Sequence, residues 1–149
     1  MPLPTIATPT YELELPSTGK KVKYRPFLVK EEKLLVLALE TENTKDISTA
    51  IKTVLKNCIQ TRGVKVDNLP TFDIEYLFLN IRGKSVGEEV EVNLIAPDDE
   101  VTEVPVTINI DEIKVQKSEE HNKKVKLDDT LIMEMKYPSL DQFIKSNFD

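Results

Sequence analysis

The chain contains one histidine and one cysteine, two residue types that enzymes use as bases and nucleophiles. His121 stands in the polar run 118–124, which predicts an exposed loop, whereas a general base works from a walled pocket that tunes its pKa. Cys58 falls in an apolar helical stripe, which predicts a small buried side chain. One histidine and one cysteine cannot form a Cys/His zinc site within a single chain, nor can a lone cysteine close an internal disulfide. We therefore expect no catalytic residue and no metal site.

Two further motifs suggest ligand binding but lack parts that the chemistry requires. Residues 83–85 read Gly-Lys-Ser, like the end of a phosphate-binding loop, but Phe78 stands where the motif needs its first glycine. The segment also follows a predicted helix and precedes a predicted strand, the reverse of the required order. The acidic clusters at 98–100 and 128–129 lack the ligand spacing of a calcium loop. We expect no cofactor and no small-molecule substrate.

The first elements that could position any site form a β-hairpin. Residues 11–15 alternate apolar and charged side chains, and residues 21–24 do the same. The turn between them contains Gly19, which tolerates positive φ. Residues 1–10, with three prolines, are predicted to form an extended arm.

After the hairpin, the spacing of apolar residues changes to the period of an α-helix. Residues 29–41 are predicted to form a first helix, with acidic side chains in its first turn. Asn43 and Thr44 can cap a second helix, whose apolar stripe runs from 47 to 59 and which Gly63 is expected to stop. Residues 72–82 form the most apolar stretch, so we expect a third helix at the centre of the core, capped by Gly83.

The second half of the chain predicts strands. Apolar and polar side chains alternate over residues 88–94 and 104–110, which flank a turn at 97–100. Residues 116–126 predict a solvated connection. Residues 131–136 predict a last strand, followed by a short helix over 139–144. The predicted fold class is α+β, with an N-terminal β-hairpin, a three-helix core and C-terminal antiparallel strands. We expect a single domain over 11–149, with a helical part at about 29–83 and a β part at about 87–136.

Charge and composition limit the possible partners. The net charge is -6 and the sequence pI is about 5.0, which argues against a nucleic-acid surface. No apolar run has the length of a membrane span, and a lone cysteine fits a reducing compartment. We therefore expect a protein that is made in a cytoplasm, does not act on membranes and does not bind nucleic acid as its main function, although the composition leaves room for a local basic patch.

Two long blocks of the sequence are more specific than any short motif. The first block begins Leu-Glu-Leu-Pro-Ser-Thr-Gly-Lys at 13–20 and continues Tyr-Arg-Pro-Phe-Leu-Val-Lys-Glu-Glu-Lys at 24–33. The second comprises 69–70, 72–79, Arg82 and 84–88. Together they resemble the baseplate hub subunit and hub assembly proteins of T-even-type, contractile-tailed bacteriophages. The resemblance implies a non-catalytic structural or assembly role in the hub region. It also implies a place in the virion tail baseplate after assembly in the host cytoplasm, with other baseplate or tail proteins as partners.

Other interpretations remain open at this point. A transient assembly chaperone would be absent from the mature virion. An enzyme could use scattered carboxylates, although nothing in the sequence singles out a pair. A nucleic-acid adaptor could use the basic residues of the hairpin, namely Lys20, Lys21, Lys23 and Arg25.

The arm and the first strand together are a candidate docking element. The prolines restrict the unbound arm, which lowers the entropy lost on binding. An exposed strand edge can add a strand from a partner. The alternative is a frayed terminus. The predicted partner-binding residues are Leu3, Ile6, Tyr11, Leu13 and Leu15.

Overall fold

A computed structural model describes residues 7–98 and 100–148, without the side chains of 147 and 148. The predicted α+β class, with its N-terminal hairpin and C-terminal antiparallel strands, is confirmed. The elements in chain order are β1 (Tyr11–Glu14), β2 (Lys21–Tyr24), α1 (Val29–Glu40), α2 (Thr44–Cys58), α3 (Thr71–Val86), β3 (Glu89–Ile95), β4 (Glu103–Asn109), β5 (Lys124–Lys126), β6 (Ile132–Glu134) and α4 (Leu140–Phe148). Two short 3-10 turns lie at Val66–Asn68 and Ile110–Glu112.

Within the described residues, the strands pair as three separate antiparallel hairpins, β1–β2, β3–β4 and β5–β6. Leu13 lies opposite Val22 in the first, Val92 opposite Val106 in the second and Val125 opposite Met133 in the third. A two-stranded sheet alone is marginally stable in water, so each hairpin depends on what its apolar face contacts.

The main core joins the first hairpin to α2 and α3. Its buried residues are Leu15, Val22, Tyr24, Val54, Leu55, Cys58, Val66, Ile74, Leu77 and Ile81. The predicted central role of α3 agrees with Leu77 and Ile81, which are fully buried. The predicted core consisted of three helices, whereas the first hairpin also belongs to this core and α1 adds only half-buried leucines. The hairpin takes part because its side chains at alternate positions reach the same apolar faces as the helices.

Two glycines do not end helices as expected. Helix α2 ends at Cys58 rather than near Gly63, because the next residues leave the helix to pair with β2: Ile59 bridges Tyr24, and the Gln60 N–H donates to the Lys23 carbonyl at 2.8 Å. Helix α3 continues through Gly83 and ends at Val86. Gly83 lies against Ile110, whose Cγ2 would be 3.3 Å from an added Cβ. The predicted C-cap was therefore wrong, and Gly83 instead permits close packing.

The C-terminal segment has more regular structure than its polar sequence predicts. Residues 124–126, assigned to a connection, form β5, and its partner β6 is shorter than the predicted strand over 131–136. This strand was missed because it has only three residues, all of them exposed, in a polar stretch of sequence. The short helix after Ser139 is confirmed, and it continues to Phe148.

Candidate docking site

Asp73 ties the turn of the first hairpin to the start of α3. Its carboxylate is fully buried and accepts hydrogen bonds from the Ser17 N–H at 3.0 Å and from the Ser17 hydroxyl. A buried carboxylate without partners would be costly, so these bonds hold the turn and the helix in one relative position.

A buried ion pair fixes the start of α1. The Arg25 guanidinium lies 3.1 Å from the Glu31 carboxylate, which is 1% exposed and also accepts the Leu28 N–H at 2.8 Å. Burial alone would raise the pKa of Glu31, but the hydrogen bonds from Arg25 and Leu28 outweigh it and lower that pKa below its ordinary value. Arg25 is thus directed inward, away from the hairpin surface that a nucleic-acid adaptor would use.

Residues 83–85 act as a structural joint at the end of α3. The Ser85 hydroxyl accepts the Phe27 N–H at 2.8 Å, and Lys84 pairs with Glu88 and with Asp111, the latter at 3.0 Å. The hydrogen bonds to Glu88 and Asp111 raise the pKa of Lys84. Because helix α3 continues through this segment, it has no loop to cradle a phosphate.

The predicted docking residues of the hairpin face inward. Leu15 is 2% exposed, whereas Tyr11 and Leu13 are half-buried and pack against the core. Leu3 and Ile6 lie outside the described residues. These three hairpin side chains therefore support the fold. The outer backbone edge of β1 is different, because β2 is its only strand partner among the described residues.

Helix α1 carries more exposed large apolar side chains than any other helix of the described chain. Its exposed apolar side chains include Val36 and Leu37, each about half exposed, with Leu39 at 60% and Val29 at 80%. Only Ala38 and Glu31 of this helix are buried. Helices that are apolar on most sides are normally enclosed. The sequence signal was present in the run of 34–39, where Ala38 is the only small residue among leucines and a valine.

A groove runs between α1 and α2 beside this surface. Its volume is about 310 Å³, and its floor includes the buried side chains of Ala38 and Ala50. The other lining residues are Leu34, Leu37, Thr41, Asp46, Thr49 and Thr53. Small side chains on facing positions leave room for the apolar side chain of another chain.

The β3–β4 hairpin presents a second uncovered apolar face. Three cross-strand pairs are apolar on both strands, and alternation puts them all on one face: Val90 with Ile108, Val92 with Val106, and Leu94 with Val104. Exposure increases toward the tip, where Leu94 is 53% exposed. The opposite face carries Glu89, Glu91 and Glu103, so this hairpin is amphipathic.

The structure gives the environments of Cys58 and His121, the two residues considered for catalysis. Burial raises the pKa of the Cys58 thiol to about 11, and the nearby Arg25 guanidinium only partly offsets this, so the thiolate is scarce at neutral pH. His121 is exposed and stacks on Tyr137 with ring centroids 5.6 Å apart.

Across residues 7–98 and 100–148, no group of three His, Cys, Asp or Glu side chains could hold a metal ion. None of the helices described combines the length and apolar character needed to cross a membrane.

Comparison of the whole chain with known protein families identifies a match. A family model described as T4 bacteriophage base plate protein matches residues 8–149. No curated protein and no solved structure matches the chain. Because the family match extends over nearly the entire sequence, the chain belongs to the T4 bacteriophage base plate protein family.

Proposed function

We propose that the protein is a non-catalytic structural or assembly component of the hub region of a phage tail baseplate, and that it acts through contacts with other baseplate proteins. Family membership supports a position in the tail baseplate of the virion. The hub assignment rests on the resemblance of the two sequence blocks. Residues in those blocks form the buried anchors of the fold, including the pairs Arg25–Glu31 and Ser17–Asp73.

The observation that carries the proposal is uncovered apolar surface on two separate elements, α1 and the β3–β4 hairpin. Large apolar patches on a protein surface commonly mark interaction sites. Within either element, exposed side chains are neighbours rather than scattered: Val36 and Leu39, three residues apart on α1, and Leu94 with Val104 across the hairpin. An assembly that covers both surfaces would remove them from water.

The arm at 1–10 and the outer edge of β1 remain a proposed docking element. The backbone of β1 can accept a partner strand, although the side chains of Leu13 and Leu15 are committed to the core. Deletion of residues 1–10 is the test, with thermal melting and co-assembly both measured. A variant that melts like the parent but no longer co-assembles supports docking. Normal co-assembly would show that the arm is a frayed end.

Quantitative mass spectrometry of purified virions and of purified baseplate subassemblies tests the proposed function. Fixed stoichiometry in virions supports the structural role. Presence in subassemblies but absence from finished virions supports the assembly role. Absence from both would contradict the proposal, whatever surface the protein uses.

A further inference from the structure

The end of the groove at the turn between α1 and α2 carries an excess of negative charge. Asp46 lines the groove itself, and Glu40 and Glu42 are the sequence neighbours of Thr41, which also lines it. All three are exposed, and none forms an ion pair with another described residue. Lys45 is the only basic residue in the sequence from 40 to 51. The last turn of α1 has no basic side chain to offset the partial negative charge at that end of the helix dipole.

We propose that this groove receives a helix from another baseplate protein, one whose apolar side chains are flanked by Lys or Arg. The inference rests on the proposed function and specifies its partner. Leu37 is the anchor residue that this chain contributes, because it is half exposed and lines the groove. The small floor at Ala38 and Ala50 admits an apolar side chain of the incoming helix. Recognition of this kind lays an amphipathic helix into a groove between two helices.

The charge pattern favours a basic partner over a second copy of this chain. A twofold contact buries the same patch on both subunits, so it would bring two copies of the Glu40, Glu42 and Asp46 cluster close together. The chain as a whole also carries a net charge of -6, which opposes self-association. A cationic flank on the partner instead meets opposite charge, which increases the association rate and makes binding sensitive to salt.

The first experiment uses the full-length protein and two synthetic amphipathic helical peptides, one of Leu and Lys and one of Leu and Glu. Fluorescence anisotropy measures their affinities at low and high salt. We expect the Leu/Lys peptide to bind at least about tenfold more tightly than the Leu/Glu peptide, and to lose that advantage at high salt. Equal binding of the two peptides would overturn the proposal.

Matched substitutions locate the site. Leu37→Glu is expected to weaken Leu/Lys binding by about tenfold or more, whereas Leu94→Glu on the other apolar surface, at nearly the same exposure, leaves it unchanged. The double reversal Glu40→Lys with Glu42→Lys is expected to remove the salt dependence, and Glu89→Lys with Glu91→Lys is its control. The reversal pairs alter only exposed positions, so they keep the test valid if Leu37→Glu fails to fold. Loss of binding in the controls instead would contradict the proposal.

The same variants in phage separate this inference from the proposed function. Exclusion of folded Leu37→Glu protein from baseplates, with Leu94→Glu protein incorporated, supports the groove. If the parent protein is a stoichiometric baseplate component and Leu37→Glu enters equally well, the groove inference fails while the proposed function stands. A dimer of the isolated parent in sedimentation, dissociated by Leu37→Glu, would show that a second copy occupies the groove and would overturn the inference.

Discussion

The helical half of the chain and its C-terminal hairpins bury their side chains to very different extents. From 11 to 86, strands and helices share one core that includes Leu55 and Leu77. From 89 to 136, Ile110 is the only buried residue among those described. The hairpins are therefore held by backbone pairing and by a few contacts at their base, and two-stranded sheets of this kind gain stability when another surface covers them. The contrast indicates that one half carries the fold and the other offers surface.

Polar interactions show the same contrast. In the helical half, the carboxylates of Glu31 and Asp73 are buried and fully hydrogen-bonded. In the last hairpin, the pair Lys123–Glu134 is mostly exposed. Exposed pairs contribute little to stability, whereas loss of one partner from a buried pair is costly. Chemically similar substitutions should therefore lower the free energy of unfolding more in the helical half than in the C-terminal hairpins.

The largest effect should come from the centre of the core. Leu77→Ala is expected to lower the free energy of unfolding by about 2 to 5 kcal/mol, because it removes buried apolar surface and leaves a cavity in α3. Urea denaturation followed by circular dichroism measures the change. A midpoint equal to that of the parent would mean that α3 is not central to the core.

Glu31→Gln should cost about 2 kcal/mol at pH 7, because it removes the charge that pairs with Arg25 in a buried setting. The pKa of Glu31 is lowered by folding, so its contribution is complete above the ordinary value of 4.5 and is lost as pH falls through the lower folded value. The difference between parent and variant should therefore shrink below pH 4.5. Other acids are unchanged in the variant, so a difference that stays constant down to acid pH would contradict this account.

Lys84→Met should cost about 1 kcal/mol, since it breaks the pairs with Glu88 and Asp111 that hold the end of α3 to the base of the β3–β4 hairpin. This joint links the two halves, and we expect hydrogen exchange to increase in β3 and β4 more than in α2. Uniform exchange changes, or none, would show that the hairpin does not depend on the joint. Lys126→Met, which breaks an exposed pair in the last hairpin, is the control.

The smallest effect should come from the last hairpin. Ile132 is 66% exposed, and Ile132→Ala should change the free energy of unfolding by no more than about 0.5 kcal/mol. Ile81→Ala, at a fully buried position, is the matched control and should fall in the same range as Leu77→Ala. A large loss for Ile132→Ala would show that the C-terminal half has a core of its own.

Local patterns predicted the elements well wherever neighbouring residues decide the conformation. The first hairpin, the start of α1 and the cap at Asn43, whose side chain accepts the Lys45 N–H at 2.9 Å, all follow from alternation, turn chemistry and capping. Predictions were wrong where distant segments compete. Pairing with β2 ends α2 before Gly63, and packing against Ile110 requires Gly83 inside α3.

The candidate docking site also combines features that the sequence predicts with features that only the tertiary structure shows. Sequence alone determined the α+β class and the amphipathic hairpins β1–β2 and β3–β4, because these depend on residue type and short spacing. Only the tertiary structure decided that Leu15 faces the core while Leu37 borders an open groove. Leu15 directly follows β1 and Leu37 lies in α1, and nothing in the residue type foretells their different burial. Burial depends on which surfaces meet after folding, and here the core closes over the hairpin and leaves much of α1 outside.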